Sequence, residues 1–194
     1  PEWDETQKYI VMFGIAAGMY ILHRNNFIHR DLKPGNVLLS DNLEPLITDF
    51  GCSKMVDQNN LMYQTGMVGT MQFMAPEIYM NEDLEYDGKM ADVYAYAILC
   101  FQLLTGIRPF DNVRRIDMFN LMANQVRPDF PDEFNQNLKQ FVQSCWNQVP
   151  EERHSFKEIL NILGDEEFIQ KSGNVDINKF REYQKKVVSK NFIK

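Results

Sequence analysis

One short stretch constrains this chain more than any other: Ile28-His29-Arg30-Asp31-Leu32-Lys33-Pro34-Gly35-Asn36. Its proline and glycine keep it from continuing as a helix, so we predict a loop. Asp31, Lys33 and Asn36 lie on this loop, and Asp49 follows a second apolar run. These four side chains supply a base for a hydroxyl, a cation for a phosphate and two oxygen ligands for Mg²⁺. The set favours phosphoryl transfer, whose catalysis is mostly positioning and charge neutralisation.

Three motifs follow one another in a fixed order. His29-Arg30-Asp31 with Asn36 comes first, then Asp49-Phe50-Gly51, then Ala75-Pro76-Glu77. Any one motif alone is a weak signal, but the ordered set resembles the signature of eukaryotic protein kinases. The resemblance covers roughly residues 1–163. It implies an enzyme that transfers the γ-phosphate of ATP to a protein hydroxyl, with Mg²⁺ as cofactor.

Two features indicate the acceptor and the subgroup. Lys33 in the loop and Gly69-Thr70 before the third motif are similar to the pattern of Ser/Thr kinases. Ser144-Cys145-Trp146, followed by Pro150 and Arg153, resembles the tyrosine-kinase-like group. The resemblance therefore implies a tyrosine-kinase-like Ser/Thr kinase.

The expected fold is mainly α with short β-hairpins, as in the large C-terminal lobe of a protein kinase. Apolar residues at helical spacing predict helices near residues 3–25, 89–105, 116–124, 137–146 and 155–163. The second helix is apolar nearly all round, which predicts a buried central helix. In the first helix, Gly14 and Gly18 allow a neighbouring element to approach closely.

The segments between the helices carry the predicted site. Residues 37–39 and 46–48 are predicted to form a hairpin with Asn36 at one end and Asp49 at the other. Residues 52–74 show no strong period and are expected to form a mobile surface segment.

The last thirty residues differ in character, so we divide the chain into a lobe, residues 1–163, and a C-terminal helical extension or linker, residues 164–194. Residues 177–194 contain six basic residues and one acidic residue. Ile177, Phe180, Tyr183 and Val187 form one helical stripe. We expect a solvated helix that leaves the lobe towards another domain, with a membrane or calmodulin-like role as the alternative.

The kinase resemblance assigns roles to the site residues. Asp31 is the expected catalytic base, Lys33 neutralises the transferred phosphate, and Thr70 hydrogen-bonds both. Asn36 also belongs to the catalytic set and, with Asp49, is an expected metal ligand. Lys33, Asn36 and Asp49 are expected to contact ATP.

A further ATP contact is apolar. Leu38 is expected to form the floor under the adenine ring, backed by Leu99 and Leu103 from the central helix.

Other residues have expected supporting roles. His29 and Phe50 are expected to stack in an apolar column anchored by Asp92 on the central helix. Glu77 and Arg153 are expected to form a buried ion pair.

Arg30 is expected to bind a phosphorylated residue of the activation segment. Thr65 is the first candidate for that residue, with Tyr63 and Ser53 behind it.

The sequence departs from the kinase pattern at its front. It contains no Gly-rich phosphate loop, no Val-Ala-Ile-Lys strand and no helix Glu to pair with that Lys. We therefore expect a fragment that lacks the N-terminal lobe and is inactive alone. The alternative is a pseudokinase or truncated kinase-like scaffold that acts by protein binding.

Composition limits the kinds of partner that this chain is expected to bind. A net charge of −7 argues against nucleic acid, and no run reaches the roughly 18 apolar residues of a membrane span. The three cysteines have no metal-ligand spacing, so we expect reduced thiols in a cytoplasmic protein. The expected partners are a protein substrate and further domains of a longer chain.

Overall fold

A computed structural model describes residues 3–55, 61–63, 69–80 and 85–189. Helices dominate the described residues, and the strands are short. The helices are α1 Glu5–Arg24, α2 Pro76–Met80, α3 Gly88–Thr105, α4 Arg115–Ala123, α5 Gln136–Cys145, α6 Phe156–Gly164, α7 Glu166–Lys171 and α8 Ile177–Ser189. The strands are β1 Phe27–Ile28, β2 Val37–Leu39, β3 Pro45–Ile47, β4 Lys54–Met55, β5 Leu61–Tyr63 and β6 Glu85–Asp87. The mainly helical lobe with short hairpins predicted above is therefore confirmed.

The core forms around α3, as its apolar sequence predicts. Asp87 caps the helix by accepting hydrogen bonds from the amides of Lys89 and Met90. Residues along its length are buried on several sides, including Val93, Tyr94, Ala97, Ile98 and Phe101. The helix ends where Gly106 adopts a left-handed conformation, φ 73°, and its amide bonds to Gln102 O at 2.9 Å.

Helix α1 lies beside this core and supports the predicted hairpin. Asp4 caps its N-terminus by accepting from the amide of Gln7 at 2.6 Å. A Cβ at Gly18 would lie 2.7 Å from the Ile47 side chain of β3. Gly18 therefore lets β3 pack directly on the helix, as predicted.

Within the described part of the chain, the strands pair into three separate antiparallel two-stranded sheets, β1 with β4, β2 with β3, and β5 with β6. In the predicted hairpin, Val37 pairs with Ile47 and Leu39 with Pro45. Residues 52–74, predicted above as a mobile surface segment, include β4 and β5. Each of these strands pairs with a distant strand, and sequence periodicity does not reveal such pairing.

The C-terminal helix was predicted in the right place but in the wrong environment. Helix α8 does not leave the lobe: Phe180 is fully buried, and its ring meets Tyr9 and Phe13 of α1 edge-on at 5.1 and 5.2 Å. The apolar stripe that predicted the helix is the face that packs on α1, because burying those aromatic rings is favourable.

Candidate active site

A buried carboxylate on α3 shapes the loop that carries the candidate site. Asp92, 2% exposed, accepts hydrogen bonds from the backbone amides of His29 at 2.8 Å and Arg30 at 2.9 Å. Arg30 has a left-handed backbone, φ 68°, which is costly for a residue with a side chain. The bonds to Asp92 offset that cost, so the central helix fixes the turn just before Asp31.

Four side chains meet immediately after this turn. Lys33 Nζ donates to Asp31 Oδ2 at 2.6 Å and to Thr70 Oγ1 at 2.7 Å. Asn36 Nδ2 donates to the backbone oxygen of Asp31 at 2.8 Å and to its Oδ2 at 3.1 Å. The amide and the hydroxyl of Thr70 both donate to Asp31 Oδ1 at 2.8 Å. The structure thus brings Asp31, Lys33, Asn36 and Thr70 into one hydrogen-bonded cluster.

This cluster controls the protonation of Asp31. Burial on its own raises the pKa of the carboxyl, because it disfavours the charged form. Hydrogen bonds from Lys33, Thr70 and Asn36, together with the positive charge of Lys33, outweigh burial and lower the pKa below its ordinary value. Asp31 is therefore held as a carboxylate that accepts hydrogen bonds.

Asn36 and Asp49 flank the β2–β3 hairpin and lie at its open end, because Val37 pairs with Ile47. A backbone hydrogen bond, from the Thr48 amide to Asn36 O at 2.9 Å, closes the ladder at this open end. Asp49 has a left-handed backbone, φ 60°, and its exposed carboxylate accepts from the Gly51 amide at 3.3 Å. Asp49 is thus placed beside the four-residue cluster through the backbone, whereas its described side-chain bond is to Gly51.

The oxygen atoms of Asn36 and Asp49 are of the kind that Mg²⁺ binds. Both hydrogen bonds that the Asn36 amide donates use Nδ2, which leaves Oδ1 on the other branch of the amide for a metal. Asp49 adds an exposed carboxylate, and Mg²⁺ typically takes one or two such protein oxygens together with phosphate oxygens and water. Among the described residues, no group of three or more His, Cys, Asp or Glu side chains could enclose a metal by itself.

The predicted apolar column is present. The rings of His29 and Phe50 lie 5.5 Å apart in an edge-on arrangement, and His29 Nε2 lies 3.0 Å from Thr48 O. His29 is fully buried, whereas half of Phe50 is exposed. His29 therefore links the loop to the hairpin.

Arg30 makes a contact within the protein, and its predicted contact with a phosphorylated residue stays a prediction. Its Nε donates to the carbonyl oxygen of Cys52. Of the expected phosphorylation sites, Thr65 and the side chain of Tyr63 lie outside the described residues, and the hydroxyl oxygen of Ser53 is buried.

One expectation about the adenine floor needs correction. Leu99 and Leu103 line an apolar cavity with Val37 and Leu39, not with Leu38. Successive side chains of a strand point to opposite faces, so Leu38 faces away from α3. It pairs with Leu46 on that other face, and more than half of each side chain is exposed. An apolar floor there is formed by Leu38 and Leu46.

The predicted ion pair between Glu77 and Arg153 is present. The Arg153 side chain is fully buried, and it also donates to the backbone oxygens of Met90 and Asn147. Arg153 thus joins the segment after Thr70 to the helical core.

Sequence reasoning missed His23. Its Nε2 lies 2.9 Å from Asp92 Oδ2, the oxygen that also accepts from the His29 amide. His23 therefore belongs to the support of the candidate site. A histidine in the last turn of α1 carries no motif that could have revealed this contact.

Comparisons with known proteins agree with this geometry. Residues 2–163 match the family described as the protein kinase domain. A probable serine/threonine-protein kinase of Dictyostelium discoideum is 38% identical over 161 residues, covering 82% of this chain and 12% of that protein. Serine/threonine-protein kinase STY17 of Arabidopsis thaliana is 35% identical over 154 residues, covering 79% of this chain and 26% of that protein. Dual specificity protein kinase shkC of Dictyostelium discoideum is 33% identical over 153 residues, covering 76% of this chain and 30% of that protein.

The chain belongs to the protein kinase family, and its matched residues are the C-terminal lobe of that domain. The first two relatives carry serine/threonine names, in line with the tyrosine-kinase-like Ser/Thr group predicted above. The chain spans about an eighth to a third of the length of these relatives. Among the described residues, no helix is both long and apolar enough to cross a bilayer.

Proposed function

We propose that this chain is the catalytic lobe of a Ser/Thr protein kinase, which transfers the γ-phosphate of ATP to a hydroxyl of a protein substrate. The observation that carries the proposal is the hydrogen-bonded cluster of Asp31, Lys33, Asn36 and Thr70. The cluster holds a base, a cation and an amide within contact distance of one another. Phosphoryl transfer requires such positioned groups, and a merely structural loop does not.

Asp31 is the residue that receives the substrate hydroxyl. Its carboxylate is ionised at neutral pH and can orient the hydroxyl, and its lowered pKa makes it a weak base that accepts the proton only as the phosphoryl group is transferred. Thr70 holds Oδ1 from one side through two hydrogen bonds, and Lys33 holds Oδ2 from the other. The carboxylate is therefore aimed before substrate arrives.

Lys33 has a second task at the phosphate. The Lys33 side chain as a whole is about one quarter exposed. As a compact charge it stabilises negative charge that develops on the transferred group. The Lys33–Thr70 bond at 2.7 Å supports a Ser or Thr acceptor, because it reproduces the pairing expected from the Ser/Thr pattern.

The nucleotide and metal would be held by the β2–β3 hairpin. Asn36 Oδ1 and the Asp49 carboxylate would bind Mg²⁺, and the exposed Leu38 would lie under the adenine. Bound Mg²⁺ and ATP supply the phosphoryl group and neutralise its charge.

Activity is proposed to need a small lobe as well. The sequence contains no Gly-rich loop and no strand Lys, which cover and hold the phosphates in protein kinases. We infer that the 194-residue chain by itself binds ATP weakly and transfers little phosphate.

The test supplies that lobe and removes the base. The chain is expressed behind its own upstream coding sequence, or behind the small lobe of a kinase relative, and phosphate transfer to a generic protein is measured. Asp31→Ala is expected to abolish transfer, whereas Asp41→Ala, at an exposed turn position of the hairpin, leaves it unchanged. Equal transfer by wild type and Asp31→Ala would refute the enzyme and favour a kinase-like scaffold that acts by binding.

A further inference from the structure

Helix α8 lies beyond the residues that match the kinase domain, yet it is built into the lobe. Phe180 fills a site between Tyr9 and Phe13, and Val187, two turns further on, is also buried. These contacts fix the helix along α1, so its remaining side chains have defined neighbours.

The middle of α8 approaches the β2–β3 hairpin next to Gly14 of α1. A Cβ at Gly14 would lie 2.2 Å from the Tyr183 hydroxyl and 2.5 Å from the Pro45 side chain. The missing side chain of Gly14 therefore makes room for Tyr183 and Pro45 to meet over α1. Burial raises the pKa of the Tyr183 hydroxyl, and the nearby negative charge of Glu44 raises it further.

An ion pair extends this contact along the hairpin. Lys186 Nζ lies 2.6 and 2.8 Å from the two carboxylate oxygens of Glu44, which directly precedes β3. The Ser40 amide donates to the backbone oxygen of Glu44 at 2.9 Å, closing the turn of the hairpin. Lys186 thus binds the residue at the end of the turn, and Tyr183 lies close to Pro45, the first residue of β3.

Contacts at the turn restrict the position of the whole hairpin, and therefore of the candidate metal ligands that flank it. The hairpin is only three residue pairs long, and Asn36 and Asp49 flank its open end, at the opposite end from the turn that Lys186 contacts. A two-stranded sheet of this size is marginally stable by itself, so its position depends on what packs against it.

We propose that α8 is a strap that fixes the β2–β3 hairpin against α1 and thereby positions Asn36 and Asp49. Tyr183 and Lys186 are the positioning residues. The fixing of the hairpin stands by itself, whereas its consequence for metal binding rests on the proposed kinase function.

Hydrogen–deuterium exchange of the 194-residue chain tests the strap. Lys186→Glu places two carboxylates together and is expected to speed exchange at residues 39–46 by about two- to fivefold, as for an exposed ion pair. Tyr183→Ala is expected to speed it by about tenfold or more, since a packed aromatic ring is lost. Lys185→Glu is the matched control, because it makes the same charge change at an exposed neighbour and leaves exchange unchanged.

Two further comparisons separate a strap from general stabilisation. The exchanged pair Glu44→Lys with Lys186→Glu restores the contact and is expected to return hairpin exchange to the wild-type rate. Amides of α5 report global opening. An equal acceleration in α5 and the hairpin, or no acceleration in either, would overturn the strap. If Tyr183→Ala does not fold, Tyr183→Phe and Lys186→Gln give the same comparison with smaller expected changes.

Binding of Mn²⁺, measured by paramagnetic broadening at Asn36 and Asp49, tests the metal consequence separately. Lys186→Glu is expected to weaken the broadening, and the exchanged pair to restore it. Broadening that is the same in wild type, Asp49→Ala and Lys186→Glu would remove the metal assignment of the proposed function. Faster hairpin exchange in Lys186→Glu would in that case still support the strap.

Discussion

Arg153 and Glu77 are joined by two parallel hydrogen bonds, Nη1 to Oε1 at 2.7 Å and Nη2 to Oε2 at 2.8 Å. The bidentate pair connects α2 to the segment before α6, and the Arg153 guanidinium also lies 5.3 Å from the centre of the Tyr94 ring. The segment that follows Thr70 is therefore fixed to the core by a charge that is withdrawn from water.

Breaking this pair is expected to be costly. Arg153→Met leaves the Glu77 carboxylate largely buried without its cation, so the free energy of unfolding is expected to fall by about 3–5 kcal/mol. Urea denaturation measures the loss. Asp117→Asn is the control, because it breaks the fully exposed pair with Arg114 and is expected to leave stability unchanged. A similar, small effect of both substitutions would show that the buried pair contributes little.

The hydroxyl of Thr70 is expected to help hold the pKa of Asp31 down. Thr70→Val removes that donor, together with the contact to Lys33, while keeping the side-chain shape. The pKa of Asp31 is therefore expected to rise, as followed by NMR titration of its carboxyl carbon. Thr70→Ser keeps the hydroxyl and serves as the control. An unchanged pKa in Thr70→Val would assign the whole effect to Lys33, Asn36 and the Thr70 amide.

The same carboxyl makes a pH-dependent contribution to stability. Its folded-state pKa lies below the unfolded value of about 3.9, so ionised Asp31 stabilises the fold above that pH. This contribution is lost as pH falls through the lower folded-state pKa. The difference in unfolding free energy between wild type and Asp31→Asn is therefore expected to shift against wild type as the pH falls below about 4. Urea titrations across that range measure it, and a constant difference would contradict the lowered pKa.

Gly14→Ala is expected to destabilise the chain, although alanine usually favours a helix over glycine by up to about 1 kcal/mol. The new methyl group overlaps the Tyr183 hydroxyl and the Pro45 ring, and overpacking of this kind costs about 1–3 kcal/mol. Gly164→Ala is the control, because its methyl group meets only the terminal amide nitrogen of the long Gln184 side chain. A stabilised Gly14→Ala protein would show that the three elements do not meet as described.

The sequence was informative where a residue type carries a chemical requirement. Asp31, Lys33, Asn36 and Thr70 were all predicted from motif positions, and the structure brings them together. The close approach at Gly14 and Gly18 was also predictable, since a glycine inside an apolar helix face leaves room for a neighbour.

Local sequence patterns did not predict which surface each helix or strand packs against. The apolar stripe at Phe180 and Tyr183 predicted a helix. An apolar face does not by itself identify the element that packs on it, so the packing of α8 on α1 was missed. The error at Leu38 differs, because the two-residue period of a strand already places Val37 and Leu39 on one face and Leu38 on the other. The position of Asp49 relative to the cluster depends on the left-handed backbone of a single residue, which no pattern fixes.

The crowding around Asp31 has a consequence for how a substrate could enter. A carboxylate offers about four lone-pair directions, and here two donors from Thr70 share one oxygen while Lys33 and Asn36 share the other. All four acceptor directions are already occupied, so a substrate hydroxyl can donate to Asp31 only by displacing one of these donors. Under the proposed function, a substrate hydroxyl would bind only if Thr70, Lys33 or Asn36 gave up a hydrogen bond to Asp31.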